Sequence, residues 1–358
     1  MDPYEKLISQ LESAPGREQL QLLEELSRVA DARNDADMSF RSRFEVCRMA
    51  CAEGYPEKAI VAFSWCLARF DKDPELYDWH QILWRYKTIL ELIPVFGRIS
   101  RDKIIEMQED MARRLMKVGE TERTAHYYRS WNFMRMGDYE KALGFQETYL
   151  SMSRSQLSDC LACERDRQVE LLGRMKRDEE ALELAAPIMK GTMTCGEVPG
   201  FTNAHIVQSL LRLGRVDEAL ERQESGYEAV RQDRKFLGTV GDLQLVLIRV
   251  RDFETAVPRM LRHLPWAIET VADELRFRYF NSCALLMETL AAEHPKPRKM
   301  RFPRDIGCWR EDETYAPEAL ASWFANETRQ LADLFNQRNQ NDRYDEMIAE
   351  TRTLVELS

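Results

Sequence analysis

The sequence predicts an all-α fold made of stacked antiparallel helix hairpins, and three observations carry that expectation. Glycine (15) and proline (13) are scarce in 358 residues and fall between long stretches with 3.6-residue hydrophobic periodicity. Alternating, strand-like runs are almost absent. The breaks between periodic stretches are mostly short, and short breaks force neighbouring helices to run antiparallel.

Reading start and stop signals along the chain gives seventeen helices. The first six lie at 2–13, 16–33, 37–53, 56–70, 75–93 and 100–118. The next six lie at 121–136, 138–153, 155–176, 178–190, 202–213 and 216–232. The last five lie at 236–250, 253–269, 270–293, 316–338 and 341–357. Asp138, Asp178, Asp217 and Asp252 stand at helix starts, where a carboxylate satisfies free N–H groups and meets the positive end of the helix dipole. Gly54, Gly119, Gly137 and Gly214 stand where a helix must end and the chain turn sharply.

The hairpins repeat. Gly137-Asp138-Tyr139-Glu140-Lys141-Ala142-Leu143 recurs as Gly214-Arg215-Val216-Asp217-Glu218-Ala219-Leu220. Weaker copies are Lys176-Arg177-Asp178-Glu179-Glu180-Ala181-Leu182 and Arg251-Asp252-Phe253-Glu254-Thr255-Ala256-Val257. An earlier copy is Gly54-Tyr55-Pro56-Glu57-Lys58-Ala59-Ile60. The alanines at 142, 181, 219 and 256 are 39, 38 and 37 residues apart, and Ala59 lies 83 before Ala142, about two such units. A small residue at this place lets the second helix of a hairpin approach the first, and the glycine permits the turn.

Glycine, an aromatic two residues on and alanine five residues on, at a helix–turn–helix junction, resembles the tetratricopeptide repeat (TPR). The resemblance covers roughly 38–292, with a period nearer 38 than the family's 34. It implies a right-handed α-solenoid, a TPR-like superhelix of antiparallel hairpins. The expected organisation is an N-terminal helical cap at 1–36, the repeat array at 37–293, a basic proline-containing connector at 294–314 and a C-terminal helical hairpin at 315–358. Within 294–304 the connector carries five fixed positive charges, three prolines and no acid, so it reads as an exposed, non-helical segment.

Composition removes several classes of function. With 51 Lys+Arg against 61 Asp+Glu and a pI near 5.3, the chain lacks the net basic surface of a nucleic-acid coat. Its longest apolar runs, such as Leu245-Val246-Leu247-Ile248, fall far short of the roughly 18 residues that read as a membrane-spanning helix. The start, MDPYEKLISQ, carries acids and no apolar core, so no secretory signal is expected. Eight cysteines scattered over the chain suit a reducing compartment, and a cytoplasmic location is expected.

Candidate chemistry is sparse. Cys160-x-x-Cys163 with Cys195 and His205 can be drawn as a zinc set, but the two first cysteines are one helical turn apart and no second pair has a recognised spacing. The expectation is therefore no metal, with Cys47 and Cys51 as packing residues. Cys195 and His205 lack an oxyanion-hole motif or an orienting third group, and the phosphate-loop, dinucleotide, zincin and nucleophile-elbow patterns are all missing. No catalytic residue and no cofactor is expected.

A different pattern appears when the copies are aligned on their alanines. Seven residues before each lies an arginine, namely Arg135, Arg174, Arg212 and Arg249. The TPR resemblance implies that this slot faces a concave groove, which would give a ladder of guanidinium groups, extended less regularly by Arg48 and Arg129. Phe44, Tyr127, Trp131 and Phe201 would add apolar anchors. Arginine makes forked bonds to carboxylates, so such a wall suits an acidic segment of another protein. The same arginines close helices, where the dipole alone favours a positive charge. The expected function is a non-enzymatic adaptor that binds a protein or peptide segment, with a peptide-sensing regulator and an enzyme on an α/α toroid as the other classes.

Overall fold

The computed structural model describes residues 3–356; the predicted limits at 1, 2, 357 and 358 fall outside them. Among the described residues there are seventeen α-helices. They are α1 (Pro3–Leu11), α2 (Gly16–Ala32), α3 (Ala36–Ala52), α4 (Pro56–Lys72), α5 (Trp79–Leu92) and α6 (Arg101–Lys117). Then come α7 (Arg123–Arg135), α8 (Tyr139–Leu150), α9 (Leu161–Arg174), α10 (Asp178–Met189), α11 (Gly200–Arg212) and α12 (Val216–Val230). The last are α13 (Leu237–Arg249), α14 (Phe253–Glu269), α15 (Asp273–Glu293), α16 (Pro317–Asn339) and α17 (Arg343–Val355). None is long and apolar enough to cross a membrane.

The helix starts and stops have visible causes. Asp35, Asp78, Ser100, Asp138 and Asp252 each accept a backbone N–H from the first turn of the helix they precede. Asp178 and Asp217 sit inside the first turn instead, where the dipole rewards a negative charge. At the hairpin turns Gly54, Gly119, Gly137 and Gly214 all have φ between 72° and 81°, the left-handed conformation that closes a helix C-terminus. Lys176 (φ 60°) and Arg251 (φ 62°) occupy the same turn slot in the copies that lack glycine.

The repeat register is visible in the packing. Ala59, Ala142, Ala181, Ala219 and Ala256 are each the fourth residue of the second helix of a hairpin, and each is at most 1% exposed. Consecutive helices pack against each other from α1 to α17, and alternate ones also touch: α3 with α5, α5 with α7, α9 with α11, α11 with α13, α13 with α15. Two large apolar clusters result. One is centred on α2–α8, and the other runs from α9 to α17.

Helix α15 is buried almost all round, with every residue from Phe277 to Met287 inaccessible. A helix buried on all faces must pair its polar groups internally, and α15 does so through Glu274, Arg278 and Asn281. It packs on α13, α14, α16 and α17 and reaches back to the short turn at 93–95. Gly241 of α13 makes the closest approach possible: a Cβ there would lie 2.9 Å from the Arg278 carbonyl oxygen and the Tyr279 Cα. The final hairpin then ties both halves together. Arg338 donates to the carbonyls of Pro94 (2.7 Å) and Phe96 (3.1 Å), Asn341 to that of Met136 (2.8 Å), and Arg343 to the Tyr139 hydroxyl (2.7 Å). The surface of 16687 Å² is only slightly above the roughly 15,000 Å² of a compact 42.0 kDa monomer.

The connector at 294–314 differs from its sequence reading as an exposed segment. It is non-helical as expected, but Arg298–Lys299 pairs antiparallel with Thr314–Tyr315, and Met300, Phe302 and Ile306 are buried in the second cluster. Charge density concealed three apolar anchors. Replacing Ala142 or Ala219 with Leu overpacks a hairpin and is predicted to cost about 1–3 kcal/mol in urea unfolding. Gly241→Ala is predicted to be at least as damaging as either, because the clash is with backbone that cannot rotate away; wild-type midpoints in all three would refute this packing.

Candidate functional site

The inner sides of these helices line a solvent-open cavity of about 1060 Å³. Its wall draws on the α3–α4 turn, α5, α7, α9, the loop before α11, residues 233–235, the end of α14 and the start of α15. The two halves of the chain meet around it: a Cβ on Gly54 would collide with Val271, and Asp273 accepts the backbone N–H of Gly97 at 2.9 Å. Trp84, Trp131, Phe201 and Trp266 supply aromatic surface.

A chain of buried ions runs along the wall. Arg135, at the end of α7, holds Glu274 of α15 at 2.5 Å and Glu170 of α9 at 3.1 Å, all three side chains under 10% exposed. Arg174 adds a second cation on Glu170 at 2.7 Å, and Arg278 pairs with Asp242 of α13. Burial alone would raise the Glu170 carboxyl, but Arg135, His205 and Arg174 hold it well below the usual 4.5. Glu274 is also lowered, against burial, by Arg135, Arg278 and Arg174. Beside them Arg167 lies partly buried between Glu91 and the Trp131 ring, 3.6 Å from the ring centre. Lys87 pairs with Asp159 at 2.8 Å; burial, outweighing Asp159, lowers its pKa.

The predicted ladder residues all end first helices, in equivalent slots, as the alignment on alanines requires: Arg135 ends α7, Arg174 α9, Arg212 α11 and Arg249 α13. Their surroundings differ. Arg135 lines the cavity, while Arg174 and Arg212 line a small cleft closed by Met347 and Glu350 of α17. Arg212 is forked onto Asp178 of the preceding hairpin, at 2.6 and 2.8 Å. Arg249 is half-buried and lines neither space. None of the four pairs with the aspartate that follows it in sequence. Trp131 lines the cavity, with Arg135 stacked 4.1 Å from its ring centre and its indole N–H donating to the Glu91 carbonyl. Tyr127 is buried beneath that wall. Phe44 stacks on Phe40 and lies under Arg85, Arg48 is exposed beside Glu45, and Arg129 is paired with Glu109. The acids that engage Arg135 and Arg174, Glu170 and Glu274, escaped the sequence reading; only Glu170, four residues before Arg174 on one helix face, left a local trace.

Of the drawn zinc set, three members come together. The sulfurs of Cys160, Cys163 and Cys195 all lie within 4.8 Å of one another, and all three residues line the cavity. His205 instead turns its ring to Asp166 (3.6 Å) and Glu170 (3.7 Å). The local cause is the start of α9. It begins at Leu161, not 155, so Cys160 is the N-cap, its sulfur accepting the Cys163 N–H at 3.4 Å. The Cys195 thiol is lowered, first by hydrogen bonding from Cys160, against some burial, then by Cys163 and the backbone amides of Gly196 and Glu197.

Among known proteins, no family model and no curated relative matches this chain.

The ion chain generates two predictions. Arg135→Met removes the close partner of buried Glu274 and one of the two arginines on Glu170, and should cost about 3–5 kcal/mol in urea unfolding, whereas Arg135→Met with Glu274→Leu recovers much of that loss; equal loss in both would mean that the pairing is incidental. Because the folded pKa of Glu170 and Glu274 lies below 4.5, their contribution is complete above that pH and is lost as pH falls through the folded values. Stability should therefore decline on acidification below about pH 4.5, and less steeply in Arg135→Met.

Proposed function

We propose that this chain is a TPR-like helical-repeat adaptor, a right-handed superhelix acting in the cytoplasm, which binds a segment of another protein in its central cavity and performs no chemistry on it. The observation that carries the reading is the cavity. At about 1060 Å³ it stands at the upper edge of the roughly 300–1,000 Å³ typical of small-molecule sites. Its wall combines Trp84, Trp131 and Trp266 with charged groups on rigid helices, the composition that protein interfaces favour at their energetic centres. The buried alanine at position four of the second helix in five of the hairpins supports the repeat assignment.

The charge of the proposed segment follows from pairing. Arg135, Arg174 and Arg212 already lie against carboxylates of their own chain, and acids outnumber Lys and Arg along the cavity wall. A segment with basic side chains beside an apolar anchor fits this wall better than the acidic one expected from the ladder. Binding is favoured over catalysis because the buried acids Glu170 and Glu274 are held ionised by arginine, which suits them to structure and poorly to proton donation.

The test is to fill the cavity. Ala52→Trp and Ala272→Trp place bulk at its wall without touching the ion chain. A partner captured from the native host by wild type and lost by both variants, with circular dichroism unchanged, is the expected result. Undiminished capture by both would remove the cavity from the binding reaction.

A further inference from the structure

We propose that Cys160, Cys163 and Cys195 hold one zinc ion at the rim of the cavity, with the fourth coordination position open to the cavity. This inference stands apart from the segment-binding reading, because it rests on the three side chains alone. Tetrahedral zinc with Zn–S bonds of about 2.3 Å puts its sulfurs about 3.8 Å apart. The three sulfurs, all within 4.8 Å of one another, need close by about an ångström or less to meet that geometry.

The backbone holds the set in two short pieces. Cys160 and Cys163 ride on the first turn of α9, where the N-cap sulfur of Cys160 accepts the Cys163 N–H and so is folded back over that turn. Cys195 lies in the loop before α11, which is folded back by its own N–H to the Val198 carbonyl at 3.2 Å and by the Thr194 hydroxyl to the same oxygen at 3.0 Å. Ala162, Ile188 and Val198 form a small apolar cluster against Cys163, so one side of the set is dry. An all-sulfur donor set selects soft or borderline metals over magnesium or calcium, and zinc is the common one that needs no redox partner. Among the described residues no other His, Cys, Asp or Glu completes this group within the same distance. Three protein ligands and an open position match the pattern of zinc sites that accept water or a ligand donor. Bound metal would clamp the start of α9 to the loop before α11 and put a Lewis acid on the cavity wall.

The full-length chain, purified under reducing conditions and equilibrated with zinc chloride and then desalted, should retain one zinc per chain by elemental analysis. Cobalt(II) should give an intense sulfur-to-cobalt charge-transfer band in the near ultraviolet and the strong visible bands of a tetrahedral ion. Cys195→Ser, in an exposed loop, should keep its helical circular dichroism and lose both signals, with affinity reduced roughly 100-fold or more. Cys308→Ser, outside the set, should retain both. No retained zinc and no charge-transfer band in wild type would overturn the proposal. So would a disulfide formed within the set in protein that shows no metal affinity under reducing conditions, or equal zinc retention by Cys195→Ser.

Discussion

The architecture depends on one buried interaction, the guanidinium of Arg135 gripping Glu274 from a helix 139 residues further along and Glu170 from the next hairpin. Helix α15 is long and buried along most of its length, and it starts with carboxylates, Glu274 at its second position among them. Burying that charge without a partner would be prohibitive, so α15 is stable only where Arg135, Arg174 and Arg278 converge. The same convergence brings the Val271 region against the Gly54 turn and bounds the cavity. Apolar area holds the hairpins together, and the ion chain ties α7, α9 and α15 to one another.

Much of the hairpin architecture was legible in the chain, because its signals are local. A glycine that must take a positive φ, an alanine that must sit under a neighbouring helix, and an aspartate that caps a helix all act within a few residues. For that reason the arginine slot at the ends of α7, α9, α11 and α13 was placed correctly by alignment. What was illegible is what those arginines face. Glu274 is 139 residues from Arg135, and nothing in the spacing of either announces the other. The packing of α17 over Arg174 and Arg212 was hidden for the same reason.

The cysteines show how far a helix boundary can move side chains. The set Cys160, Cys163, Cys195 and His205 was visible as a pattern and set aside because its first two cysteines lie one helical turn apart and no second pair has a recognised spacing. The helix in fact starts one residue after Cys160, and an N-cap side chain folds back over the first turn. A boundary displaced by six residues thus changed the apparent chemistry of the site. In the connector, the run of Lys and Arg likewise obscured Met300, Phe302 and Ile306, whose burial ties 294–314 into the second apolar cluster.

The central claim is that α15 closes the hairpin array around a charged, aromatic cavity. Small-angle X-ray scattering of the monodisperse monomer tests this most directly. A closed body of 358 residues should have a radius of gyration of about 21 Å, and its pair-distance distribution should be a single symmetric peak. An elongated distribution with a long tail, and a radius of gyration many ångströms larger, would mean an open array in which Glu274 and Arg135 do not meet.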